Sequence, residues 1–74
     1  MWTKIDSYSI VVTMDAGDII TTDPNDPKDQ YEIESMNMGF IKALHSNGKT
    51  ALKIFPESAL INNWWVNKAA PLNK

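Results

Sequence analysis

The chain has 74 residues, 43% of them hydrophobic, with no cysteine, one histidine and a net charge of −2. One domain of this size buries only about 60% of the surface its unfolded chain exposes, so a monomer has little stability in reserve. Disulfides and thiolate metal sites are excluded, and a single His45 excludes a histidine-rich one. Association between copies is the remaining common support for a small core.

Charge is divided along the chain. Residues 15–34 hold seven carboxylates against Lys28 alone, a local charge of −6, and residues 35–74 hold five lysines against Glu57, a local charge of +4. All seven basic residues are lysine. Without arginine there is no bidentate fork for phosphate or guanine edges, which disfavours sequence-specific DNA recognition. The start, Met1-Trp2-Thr3-Lys4-Ile5-Asp6, lacks a signal-peptide pattern, and no apolar run approaches the roughly 20 residues of a membrane span. The expectation is a cytoplasmic protein with no cofactor.

Tyr8 to Met14 is rich in β-branched residues and reads as a first strand. Asp15-Ala16-Gly17-Asp18 has turn chemistry, and Ile19-Ile20-Thr21-Thr22 reads as the returning strand of a hairpin. Residues 23–30 form an acidic loop, because Pro24, Pro27 and their Asn/Asp neighbours block both ladder and helix. Tyr31 to Met38 is ambiguous, but Tyr31-Glu32-Ile33-Glu34 alternates like a strand, and β is the favoured reading.

The best local signal is Asn47-Gly48 between two half-apolar runs, the mark of a two-residue type I′ hairpin. That register sets Ala43 opposite Leu52, Lys42 opposite Lys53, Ile41 opposite Ile54 and Phe40 opposite Phe55. One face carries Ile41, Ala43, Leu52 and Ile54, a core face. The other carries Phe40, Lys42, Leu44, Ala51, Lys53 and Phe55.

Pro56-Glu57-Ser58-Ala59 suggests one short helical turn with proline at its first position. Trp64 and Trp65 follow in Leu60-Ile61-Asn62-Asn63-Trp64-Trp65-Val66. As a helix this run would put both rings on one stripe. As a strand, the favoured reading, it sends them to opposite faces. Trp64, with Leu60 and Val66, then belongs to the core, and Trp65 is left to contact something else. Residues 69–74 read as a frayed tail.

The run Phe55-Pro56-Glu57-Ser58-Ala59-Leu60-Ile61 between two strands resembles the end of an SH3-like or Sm-like small β-barrel, over about residues 39–66. The resemblance implies a mostly β chain of about five antiparallel strands, closed as a barrel or a curled sheet. It transfers no binding residue, because the ligand motifs of both families are missing.

No catalytic set is visible. Ser46 beside His45 is adjacency in sequence, and His45 reads as a polar residue at a strand end. An EF-hand counted from Asp23 fails at Pro27 and Lys28, where a ligand and a glycine are required. Three candidate surfaces remain. Phe40, Lys42, Lys53 and Phe55 suit a nucleotide or single-stranded nucleic acid, with lysine on phosphate and rings on bases. Trp65, Ile61 and Trp2 suit an interface with another protein or another copy. Asp23, Asp26, Asp29, Glu32 and Glu34 form an acidic docking surface or an ordinary solvated loop. The expected function is a non-catalytic docking or inhibitory protein acting as a homo-oligomer.

Overall fold

A computed structural model describes residues 1–37 and 39–69. Among them lie six strands and two short helices in the order β1 (Trp2–Lys4), α1 (Tyr8–Val11), β2 (Ile19–Thr21), β3 (Tyr31–Met36), β4 (Ile41–His45), β5 (Ala51–Ile54), α2 (Pro56–Ile61) and β6 (Trp65–Asn67). The strands make one antiparallel sheet ordered β1-β6-β2-β3-β4-β5. The chain is mostly β, as expected, but the sheet is open. Among the described residues β1 pairs only with β6 and β5 only with β4, and edge strands of three and four residues give little length for the stagger that closure demands.

The expected Tyr8–Met14 strand is instead helix α1 and its following turn. Both flanks of β2 are already taken, by β3 and by β6, so a hairpin strand at Tyr8–Met14 would have no place in the ladder. Helical spacing buries Val11 and Met14 together and leaves Val12 78% exposed. Tertiary context thus overrides a β-branched run.

Of the expected segment 31–38, Tyr31–Met36 is strand β3 and Met38 lies outside the described residues, while the β4–β5 register is as expected. Ile41 faces Ile54, Lys42 faces Lys53 and Ala43 faces Leu52. The connection is wider than the type I′ turn. The His45 N–H donates to the Thr50 carbonyl and the Gly48 N–H to that of His45, both at 2.8 Å, and Gly48 alone has a positive φ, 75°. The Asn47 side chain explains the change: its Oδ1 accepts from the N–H groups of Lys49 (2.7 Å) and Thr50 (3.0 Å), an Asx-type closure. The loop widens evenly on both sides, so the register is unchanged. The ladder stops at Ile41 and Ile54, which leaves Phe40 and Phe55 outside it.

Alternation then sorts every strand. The core side holds Ile20, Ile33, Ile41, Ala43 and Val66, covered by Val11, Met14, Ala59 and Trp64. Following the pairings across the sheet, Trp2, Asn67, Ile19, Glu32, Leu44 and Ala51 make one row on the opposite, outer side. A bulge at Glu34 resets β3, so that Ser35 pairs with Lys42.

A buried carboxylate ties the last strand to the start of β2. Asp18 is 2% exposed. It accepts from the N–H groups of Asp15 and Ala69 and from Lys68 Nζ, each at 2.8 Å. Burial pushes its pKa up, but the Ala69 amide, Lys68 and the Asp15 amide outweigh burial and hold it below the usual carboxylate value. Lys68 Nζ also donates to the Thr13 carbonyl. Of the expected frayed tail, Ala69 carries one of these bonds, and residues 70–74 lie outside the described residues.

Asp18→Ala strands two buried N–H groups and should cost about 2–3 kcal/mol in urea denaturation. Because the folded pKa is depressed, the contribution is present above about pH 4 and is lost as pH falls through the folded value. The Tm gap between wild type and Asp18→Asn should therefore narrow from pH 7 to pH 3, and a constant gap would contradict this account.

Candidate functional site

Asn63 decides where the two tryptophans point. It follows helix α2 with φ 59°, in the left-handed region that asparagine tolerates better than most residues. The chain reverses there and enters β6 at Trp65. Trp64 falls in the core at 7% exposure, its ring edge-on to Tyr31 at 5.9 Å, while its carbonyl accepts from the Ile5 N–H at 2.8 Å. Trp65 stands half-buried on the outer side, beside Lys4 and Thr21 in the ladder. The expected split between the two rings is observed, although only Trp65 lies within the strand.

Trp2 joins Trp65 on the outer side, half-buried on edge strand β1. Ile61 does not. It ends helix α2, whose Ala59 faces the core, and it is 76% exposed on the helix side of the sheet. The expected Trp65–Ile61–Trp2 surface is therefore two surfaces, because the chain turns over at Asn63. On the helix side, Tyr8 and Val12 are also more than half exposed, and with Met36 and Pro56 they line a groove of about 500 Å³.

The basic–aromatic group is partly brought together. Lys42 and Lys53 face each other, both exposed, and Lys53 Nζ lies 4.3 Å from the centre of the Phe40 ring. Such a contact at the surface contributes about 0.5–1 kcal/mol. Neither lysine forms an ion pair among the described residues. Phe55 precedes α2 and is 57% exposed.

The acidic candidates also divide. Asp23 and Asp26 accept from backbone N–H groups two residues on, those of Asn25 and Lys28, each at 3.0 Å. They shape the loop. Asp29 lies 3.1 Å from His45 Nε2. Thr21 Oγ1 donates to the Asp29 carbonyl at 2.7 Å, so the loop folds down over β2 and buries Thr21 completely. Glu32 and Glu34 stand apart, exposed on the outer side of β3, with no hydrogen bond or ion pair among the described residues.

His45 has both ring nitrogens occupied. Nδ1 accepts from the Asn47 N–H at 3.0 Å, which places the proton of the neutral ring on Nε2, toward Asp29. Its ring meets Tyr31 edge-on at 4.8 Å. Ser46 Oγ points elsewhere, donating to the Lys28 carbonyl at 3.0 Å. The imidazole pins the acidic loop to the β4–β5 hairpin. Among the described residues no group of three His, Asp or Glu converges to hold a metal ion, and no helix is long and apolar enough to cross a membrane.

Two residues missing from the sequence-based candidates complete the outer surface. Ile19 and Leu44 flank Glu32 in the same row and, with Glu34, line a shallow depression of about 340 Å³. Leu44 could be read from the alternation of β4. Ile19 could not, because its partners Glu32 and Asn67 come from distant segments.

The different roles of the tandem rings give a direct check. Trp64→Ala should cost about 3–5 kcal/mol as a core deletion. Trp65→Ala should cost clearly less in the same chemical denaturation series, and equal losses would contradict the assignment. No family model matches this chain, and neither a curated protein nor a solved structure matches it, so no binding residue passes to it from a relative.

Proposed function

We propose that the protein is a non-catalytic interaction module, docking or inhibitory, that works as a homo-oligomer. The observation that carries this reading is the placement of Trp2 and Trp65 on the sheet side away from the core, with Ile19 and Leu44 in the same surface. A one-layer sheet with two short helices has a single core, and these four side chains lie outside it. Tryptophan is enriched among the residues that dominate binding at the centre of protein interfaces, where its ring is desolvated by a partner. The meander β2 to β5, the helix at Pro56 and the return of β6 to β2 are also compatible with an SH3-like or Sm-like arrangement. The exposed rim of Tyr8, Val12 and Ile61 on the helix side is the surface we assign to a foreign protein. Exposed apolar groups gathered in this way mark association surfaces. Light scattering at tens of micromolar protein should give at least a dimer. A monomer would overturn the reading.

The Lys42–Lys53 pair favours a second reading, a binder of nucleotides or single-stranded nucleic acid in the cytoplasm. Two cations held side by side, one of them over Phe40, are better satisfied by phosphate than by each other. Fluorescence anisotropy with a labelled oligonucleotide should then show affinity that falls with salt, and Lys42→Ala with Lys53→Ala should abolish it. Binding that survives the double substitution would remove this reading.

A further inference from the structure

The outer side of the sheet is complementary to itself. β3 presents Glu32 and Glu34 there, and the neighbouring strands β4 and β5 present Lys42 and Lys53. All four are exposed, and none is neutralised by an ion pair among the described residues. Ile19 and Leu44, half-buried, lie in the same surface around the depression of about 340 Å³. An acidic strip next to a basic strip, with apolar side chains beside them, is what a twofold contact needs, since each patch must meet its own counterpart.

We infer that this face binds a second copy of the chain, sheet against sheet, about a twofold axis running parallel to the strands between β3 and β4. The inference rests on the homo-oligomer reading above and places the contact between copies on β2 to β5, with Trp2 and Trp65 on the part of the sheet beyond the overlap. Rotation about that axis lays β3 of each copy over β4 of the other. Glu34, beside Ser35 in the row of Lys42, then meets Lys42 of the second copy, and the contact repeats by symmetry. Glu32 meets Leu44 of the second copy, whose side chain enters the depression. Lys53 stands one strand further out and closes the rim around Glu34. Face-to-face sheets pack about 10 Å apart, a gap that a glutamate and a lysine can span together. Other occupants fit less well. A nucleic acid would meet Glu32 and Glu34 beside the lysines, and a purely basic partner would meet Lys42 and Lys53 beside the glutamates.

Charge exchange tests the geometry. The variant K42E/K53E carries four carboxylates on this face, and E32K/E34K carries four ammonium groups. Each should be monomeric by light scattering at a concentration where wild type is dimeric. An equimolar mixture of the two should recover the dimer mass, because the strips are complementary again. That recovery also shows that both variants are folded, and the wild-type dimer itself should weaken as sodium chloride is raised. A wild-type oligomer whose mass is unchanged in both variants would overturn this surface and leave the homo-oligomer reading standing, whereas a monomeric wild type would remove both. Two monomeric variants that fail to recombine, with circular dichroism matching wild type, would also overturn it.

Discussion

The sheet depends on its last strand lying between its first two. β6 pairs with β1 on one side and with β2 on the other, so residues 65–67 hold together segments from the opposite end of the chain. Local hairpins build β2 to β5, but β1 has no partner until β6 arrives. Loop-closure entropy must be met before that pairing stabilises anything, which makes assembly of the sheet slow and cooperative. The Asp18 carboxylate reinforces the same junction, because it binds the backbone of Ala69 just after β6 and that of Asp15 just before β2. A buried acid survives there because two amides and one ammonium replace its water.

Once β6 is in place, alternation assigns the remaining side chains. Val66 goes to the core, so Trp65 and Asn67 go outward, and Ile19, Glu32 and Leu44 follow by register. The surfaces with functional potential are thus products of strand order. Glu32 and Lys42 are ten residues apart in sequence, yet they lie on adjacent strands of one face. The charge asymmetry along the chain becomes a pattern of strips on one surface.

What could be read without the structure was what local chemistry decides. The β4–β5 register followed from Asn47-Gly48 and the flanking alternation, although the Asn47 side chain chose a wider loop than the dipeptide suggests. The acidic loop followed from Pro24 and Pro27, and Trp64 was separable from Trp65 by parity alone. The failures share a cause. Tyr8 to Met14 has strand propensity, but one edge of β2 is taken by the next strand, β3, and the other by β6 from the far end of the chain, and no local pattern announces the second. The same blindness hid Ile19 and joined Ile61 wrongly to Trp2 and Trp65. The Asp18–Lys68 pair spans fifty residues and carries no spacing signature.

Asn63 makes the choice between inside and outside a matter of counting. It is a single left-handed residue between a helix that ends at Ile61 and a strand that begins at Trp65. Because neighbouring strand positions point opposite ways, losing or gaining one residue at this pivot would exchange the two rings rather than merely disturb them. The same two tryptophans would still bracket the sheet, one on each side. The same slip would turn Val66 out of the core, so a length change here would be felt inside and at the surface together, and the pivot couples what keeps the protein folded to what it offers to others.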